Sequence, residues 1–173
     1  MNIFVLDREP KLCAQYHCDK HLLKQIPDVA KILCTVMRES GIPYGYTASN
    51  VNHPCVKWVA EADGNFMWLR ELGLELCREY TFRYAKGAGS GHASEHIILD
   101  AYPKGLGDRN KRAERNEPVG MTAPTQCVPD HFKCEDPVMA YRQYYLGEKA
   151  DLLSYTKRNV PAWITEMGMG EHK

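Results

Sequence analysis

Apolar residues recur every three or four positions along the first part of the chain, which is the period of an amphipathic helix. The pattern predicts a helix over about residues 8–40. Asp7 is the expected N-cap, and Pro10 falls in the first turn, where a missing N–H costs little. Pro27 lies within the pattern, so we expect a kink or break there. The apolar stripe of this helix comprises Leu12, Tyr16, Leu23, Ile26, Ala30, Leu33 and Met37.

Three further helical segments follow. The second covers about residues 53–86 and opens at His53-Pro54, with an interruption expected near 63–65. The third covers about 93–100. The fourth covers about 136–157, where Asp-Pro supplies an N-cap residue followed by proline.

The chain shows no alternating strand pattern and no internal repeat. We therefore predict a single all-α domain over residues 1–173, of about four helices with long loops and a short, extended N-terminal arm. Within this domain we expect a helical core over 12–86, a flexible charged loop over 103–131, and a C-terminal helix and tail over 136–163.

The chain carries 22 Lys and Arg residues against 22 Asp and Glu residues, so its formal net charge is zero with the seven histidines neutral. Apolar residues make up 44% of the chain, which excludes a disordered tail or a histone-like polycation. Because clustered Lys and Arg drive phosphate binding, zero net charge counts against a protein that holds DNA by bulk charge. Binding to a nucleic acid or nucleotide therefore requires a local basic patch.

Seven cysteines are present, an odd number, and no Cys-x-x-Cys pair occurs. A chain of this size needs no disulfides, so we expect reduced thiols that are mostly small core residues. The absence of paired ligand spacings predicts no structural zinc site, and no metal or other cofactor is predicted. No apolar run approaches the roughly 18 residues of a membrane-spanning helix, and the start lacks the basic segment of a signal peptide. We expect an intracellular protein with no membrane partner.

One face of the first predicted helix carries groups suited to chemistry. On an ideal helix His17, His21, Lys24 and Asp28 fall within about 60° of one another, opposite the apolar stripe. An imidazole, an ammonium and a carboxylate at adjacent levels suit phosphate recognition and acid–base or Schiff-base chemistry. The alternative is an ordinary solvated face. Cys13 extends the same line, which leaves a Cys/His metal site as a further alternative.

Asp19 falls inside the apolar stripe of the same helix. A carboxylate there must be paired or hydrogen-bonded. Candidate partners are Arg83, Arg142 and the helix N-terminus at His53-Pro54. Asp19 is therefore either half of a structural ion pair or part of a binding site.

Aromatic and basic residues alternate in the second helical segment and near the C-terminus. Such mixtures suit base stacking combined with phosphate contacts. The alternative is a core helix whose tyrosines pack inward while Lys and Arg extend to solvent. The residues concerned are Tyr80, Arg83, Tyr84, Arg142, Tyr145, Lys149 and Arg158.

Several of these segments together resemble a known family. Asp19-Lys20-His21-Leu22-Leu23, followed by an acid seven residues after the histidine at Asp28, resembles the first helix of phage pyrimidine dimer DNA glycosylases of the endonuclease V type. Asn52-His53-Pro54 is similar to the family's Gly-His segment, and the stretches 65–70 and 76–84 to its aromatic helix and its acid-Cys-x-x-Arg ending. The resemblance covers about residues 12–86, and the two ends of the chain also resemble small phage proteins.

The resemblance implies an all-α enzyme that excises a damaged pyrimidine and then cleaves the DNA strand as a lyase. In that family the nucleophile is the α-amine exposed by removal of the initiator methionine. Here Asn2 is bulky, so we expect Met1 to be retained, and the amine would be that of Met1, Lys20 or Lys24. Asp28 would take the place of the catalytic acid, although it is shorter than glutamate and follows a proline.

The resemblance also implies that His21 and His53 contact the substrate. The first hypothesis is thus a DNA glycosylase and lyase with His21, Lys24 and Asp28 as catalytic residues, acting in the cytoplasm of an infected bacterial host. Its substrate contacts would include Asp19, Lys20 and His53, together with the aromatic and basic residues named above. The second is a non-catalytic phage protein that sequesters a nucleotide. The third is a helical interaction module without a small ligand, and the sequence leaves a homo-oligomer open.

Overall fold

The computed structural model describes residues 2–85, 87, 91–102 and 120–168. Within these residues the chain forms α-helices and two single 3₁₀ turns (Asp130–Phe132 and Ala150–Leu152), with no strand, which confirms the predicted all-α class. The helices are α1 (Pro10–Tyr16), α2 (Asp19–Glu39), α3 (Pro54–Glu61), α4 (Asp63–Tyr84), α5 (Glu95–Asp100), α6 (Pro137–Glu148) and α7 (Ala162–Gly168). Most of the predicted charged loop, residues 103–119, lies outside the described part.

The predicted first helix is two helices, because the break occurs at His17-Cys18 rather than at Pro27. Both residues of this junction have extended backbone angles. The expectation of a break at Pro27 is therefore wrong, since α2 runs through this proline. Tertiary packing compensates for the lost backbone hydrogen bond, because the residues of α2 on either side, Ile26 and Val29, are fully buried.

Other boundaries follow the predicted pattern with small displacements. Ala62 separates α3 from α4, next to the predicted interruption, and its backbone is extended. The last long helix ends at Glu148, earlier than predicted, and is capped as expected by Asp136, whose carboxylate accepts the N–H of Val138 at 3.0 Å. Leu23, assigned to the apolar stripe, is 45% exposed, whereas Ile26, Ala30 and Leu33 of the same stripe are fully buried.

The core forms where α4 packs against α1, α2, α3 and α5. Gly73 permits the close approach at its centre, because a Cβ there would lie 2.7 Å from Val29 Cγ1 and 2.9 Å from Ile98 Cγ2. The N-terminal arm is extended, as predicted, and its residues 3–6 are buried. Among the described residues, no helix has the length and apolar character required to span a bilayer.

Candidate active site

The N-terminal arm is fastened to one face of α2 by Gln25. The side-chain amide of this residue donates from Nε2 to the backbone oxygen of Asn2 at 2.7 Å and accepts the N–H of Phe4 at Oε1, 3.3 Å away. Gln25 is 2% exposed, so both bonds are shielded from water. The start of the chain is thus held beside the helical face that carries His21, Lys24 and Asp28.

His21 supports the arm from the same face. Its ring stacks on Phe4 with centroids 4.5 Å apart, and its Nδ1 shares a 2.6 Å hydrogen bond with the hydroxyl of Tyr145. Burial, together with the positive charges of Lys149, Lys24 and Lys20, lowers the pKa of His21 to about 4. The imidazole is therefore neutral near pH 7.

Asp28 and His53 are close enough for the charge of the carboxylate to act on the imidazole. Burial and the positive charge of the amino terminus lower the pKa of His53, while the carboxylate of Asp28 raises it. Lys24 Nζ lies 3.9 Å from Asp28 Oδ2 one helical turn away. A carboxylate, an imidazole and an ammonium group therefore occur within one region.

Asp28 also borders a surface cavity of ≈ 420 Å³ between α2 and the loop that follows it. The other lining residues are polar or aromatic: Lys31, Tyr46, Thr47, Ser49 and Asn50. The lining therefore offers hydrogen-bonding groups and one aromatic ring.

His17 departs from its predicted place on the same face. Because the helix breaks at this residue, its ring turns into the core and its Nδ1 hydrogen-bonds the backbone oxygen of Cys13 at 2.7 Å. Burial lowers the pKa of His17 to about 4. Cys13 is likewise hydrogen-bonded to the arm, because its thiol accepts the N–H of Leu6 and donates to Phe4 O, both at 3.4 Å. The alternative of a Cys/His metal site at these two residues is not supported.

Asp19 has the partner that the sequence suggested first. The buried guanidinium of Arg83 donates to Asp19 Oδ1 at 2.9 Å and to Glu79 Oε1 at 2.8 Å. Arg158 pairs with Glu79 Oε2 at 2.7 Å. Tyr84 borders this network, and burial together with the nearby negative charge of Asp19 raises its pKa to about 12. These residues, predicted to bind a ligand, form a buried ion-pair network.

The remaining predicted ligand contacts lie apart from one another. Arg142 hydrogen-bonds Leu6 O at 2.8 Å and pairs with Asp7 Oδ2 at 3.0 Å, rather than with Asp19. Tyr80 contacts the ring of His92 at a centroid distance of 5.2 Å. Arg142 is thus held at the arm, whereas Tyr80 also packs against Tyr84 beside the ion-pair network, with ring centroids 5.5 Å apart.

A cluster that the sequence did not predict lies next to His53. The thiols of Cys55 and Cys127 are 3.5 Å apart, and Nδ1 of His53 accepts the N–H of Cys55 at 3.2 Å. The hydrogen bond from Cys55 lowers the pKa of Cys127 to about 7, and the same contact raises that of Cys55. Asn2 joins the cluster, because its Nδ2 donates to Cys127 O at 2.9 Å. Only the His-x-Cys spacing marks this cluster in the sequence.

Comparison with known proteins gives a family match over the N-terminal half of the chain, which contains most of the candidate site. The sequence pattern of the family described as pyrimidine dimer DNA glycosylase matches residues 1–88. No curated protein and no solved structure matches the chain significantly. The matched region contains the arm, α2 and the cap of α3, and thus most of the candidate site.

Proposed function

Because the chain belongs to the pyrimidine dimer DNA glycosylase family, we propose that it excises a damaged pyrimidine from DNA and cleaves the strand at the resulting abasic site. The observation that carries this proposal is the clamp by Gln25. Its 2.7 Å bond to Asn2 O keeps the start of the chain at the face of α2 that bears Asp28. An amine and a carboxylate beside one sugar are what the reaction requires.

The chemistry begins with attack of the amine nitrogen on C1′ of the damaged nucleotide. The C1′–N bond to the base breaks as the new C–N bond forms, and the base leaves with the glycosidic electron pair and takes up a proton. The carboxylate of Asp28 stabilises positive charge at C1′ and accepts the proton that the amine loses. Opening of the sugar ring gives an imine, from which loss of the C2′ proton eliminates the 3′ phosphate.

The nucleophile we favour is the α-amine of Met1. An α-amine has an ordinary pKa near 8, so a larger fraction is unprotonated at neutral pH than for a lysine. The positive charge of the amino terminus and the negative charge of Asp28 both act electrostatically on His53, so both groups are within electrostatic range of this one imidazole. Lys24, 3.9 Å from Asp28, is the second candidate, and Lys20, one helical position before His21, is the third.

DNA contact is assigned to the basic residues around His21. The pKa of this imidazole is lowered by the positive charges of three lysines, Lys20, Lys24 and Lys149, and the first two are exposed to solvent. They supply the local positive patch that a chain of zero net charge needs in order to bind phosphates. An extruded pyrimidine would enter the cavity beside Asp28, and His53 would contact it from the α3 side.

The experiment is borohydride trapping on duplex DNA that holds one abasic site, with a second duplex that holds one cyclobutane dimer. The unaltered protein is expected to form a covalent adduct on both. Asp28→Asn should reduce adduct formation at least about a hundredfold, as loss of an electrostatic catalytic group does. Asp151→Asn, which alters an exposed carboxylate in a 3₁₀ turn, should leave the rate unchanged.

Mass spectrometry of the trapped adduct identifies the amine. We expect the sugar on the N-terminal peptide, and a sugar on Lys24 or Lys20 would replace Met1 as nucleophile. If neither duplex yields an adduct or a strand break, the glycosylase proposal is wrong. The residues predicted for a nucleotide pocket give no second candidate, because Arg83, Arg142 and Arg158 are each paired with protein carboxylates.

A further inference from the structure

Two thiols and an imidazole from distant parts of the chain meet beside the N-terminal arm. Cys55 lies in the first turn of α3, His53 caps that helix, and Cys127 comes from the segment that follows the undescribed residues 103–119. One potential ligand atom from each residue lies within 4.8 Å of the others. We propose that His53, Cys55 and Cys127 bind a thiophilic divalent cation of the Zn²⁺ class.

The separation of the thiols fits a metal-bound pair. With Zn–S bonds of about 2.3 Å and tetrahedral angles, two sulfur ligands lie about 3.8 Å apart. The observed Sγ–Sγ distance is 3.5 Å, so the pair spans one edge of such a tetrahedron after a shift of a few tenths of an ångström. The imidazole needs a movement of about 1 Å to complete a third vertex, which rotation about its side-chain bonds supplies.

The cluster also has the surroundings of a metal site. Cys55 is fully buried, whereas His53 and Cys127 are partly exposed, so a cation has a closed inner side and an approach from solvent. Asn2 Oδ1 lies 3.6 Å from Cys55 Sγ and the hydroxyl of Tyr141 lies 3.0 Å from Cys127 N, so partners outside the ligand set hold both cysteines. Three protein ligands leave a fourth position for water.

The cation would join three parts of the protein. Asn2 Nδ2 already donates to Cys127 O, so fixing Cys127 to α3 also fixes the second residue of the arm. The site therefore acts as a structural clip that includes His53 at the edge of the candidate active site. This inference does not depend on the proposed glycosylase chemistry, since binding of the cation is measured without DNA.

The test is titration of the full, reduced, metal-free chain with Co²⁺, whose thiolate complexes absorb in the visible and near ultraviolet. We expect one equivalent to bind with tetrahedral d–d bands and a thiolate-to-cobalt charge-transfer band, and Zn²⁺ to abolish both. Cys127→Ser should remove the charge-transfer intensity of one thiolate and weaken Zn²⁺ binding on the order of 100-fold, at least as much as loss of an outer partner does. Cys134→Ser, at an exposed thiol outside the cluster, is the matched control.

His53→Gln provides a second variant that leaves both thiols in place. It should retain the charge-transfer band but shift the d–d bands and weaken binding, with unchanged helical circular dichroism. The proposal is overturned if the unaltered chain binds less than about a tenth of an equivalent, or if Cys134→Ser loses as much affinity as Cys127→Ser. A Cys55–Cys127 disulfide in place of metal binding, detected by mass spectrometry of the unreduced protein, would also overturn it.

Discussion

Gln25 joins Asn2 to the middle of α2 through a 2.7 Å hydrogen bond, and the same side chain accepts the N–H of Phe4. One buried side-chain amide thus fixes the arm at two residues, Asn2 and Phe4. The extended arm makes few hydrogen bonds of its own, such as that from Leu6 N to Phe4 O at 3.2 Å, so its position depends on contacts with α2. The position of Asn2 beside α2 is therefore set by a residue that takes no part in the proposed chemistry.

Replacement of Gln25 by Leu should release the arm. We expect a loss of about 1–3 kcal/mol in the free energy of unfolding, because the buried Phe4 N–H and Asn2 carbonyl lose their partner. Adduct formation on abasic DNA should fall about tenfold beyond any loss of folded protein. Urea unfolding and single-turnover trapping measure the two effects, and Gln143→Leu, at an exposed position of α6, is the control. Equal trapping rates in both variants would show that the arm does not position the nucleophile.

The sequence could predict the helical face but not what packs on it. His21, Lys24 and Asp28 share a face because α-helical geometry fixes their angles. That Asp19 needs a partner was also foreseen, because a carboxylate in an apolar stripe must be paired, and Arg83 was one of three candidates.

The role of Gln25 and the meeting of Cys55 with Cys127 escaped prediction for a different reason. Gln25 acts only once the arm folds back on α2, and the two cysteines are 72 positions apart. Local periodicity carries no information on such contacts. The break at His17-Cys18 was missed because the apolar residues before and after it, Tyr16 and Leu23, fit one helical period, and local periodicity does not show where tertiary packing interrupts a helix.

Loss of one lysine near His21 should weaken DNA binding in a salt-dependent way. Lys149→Gln removes a charge that acts on His21 and lies 4.8 Å from the ring of Tyr144, without removing a candidate nucleophile. The slope of log affinity against log salt should fall in magnitude by about 0.9, the value of one phosphate contact on duplex DNA. Fluorescence anisotropy over a range of salt concentrations measures this slope. Lys11→Gln, an exposed change on α1, should leave it unaltered, and equal slopes for all three proteins would exclude Lys149 from the interface.

The guanidinium of Arg83 should contribute to stability rather than to DNA binding. It is completely buried and bonds to Glu79, Asp19 and the backbone oxygens of residues 15 and 17. Arg83→Met leaves two carboxylates without this partner, and we expect a loss of about 3–5 kcal/mol in the free energy of unfolding.

Arg78→Met is the matched control for this change. Arg78 lies on the same helix and also pairs with glutamates, but its side chain is 62% exposed, so the effect should stay within about 0.5 kcal/mol. If Arg83→Met does not fold, Arg158→Met tests the same network through its 2.7 Å pair with Glu79. Urea denaturation distinguishes the variants, and equal midpoints for Arg83→Met and Arg78→Met would contradict the structural role.

Acid should destabilise the protein before its carboxylates titrate, because two histidines are buried in neutral form. Burial lowers the pKa of His17 and of His21 to about 4, whereas an unfolded histidine has a pKa near 6.5. Between these values the unfolded chain binds more protons than the folded one, so the free energy of unfolding falls as the pH decreases from 6.5 towards 4. Above pH 6.5 the stabilising contribution of the two neutral histidines is fully present. For His17 alone the loss at pH 4.5 is about 2–3 kcal/mol.

His17→Asn should remove this share of the pH dependence. The amide of asparagine can still donate to the oxygen of Cys13, the 2.7 Å partner of His17 Nδ1, but it does not titrate. We therefore expect a smaller difference between the unfolding free energies at pH 7.5 and pH 4.5 than in the unaltered protein. His96→Asn changes an exposed histidine of α5 and should leave the difference unchanged. If His17→Asn retains the full difference, burial of this imidazole is not the origin of the acid sensitivity.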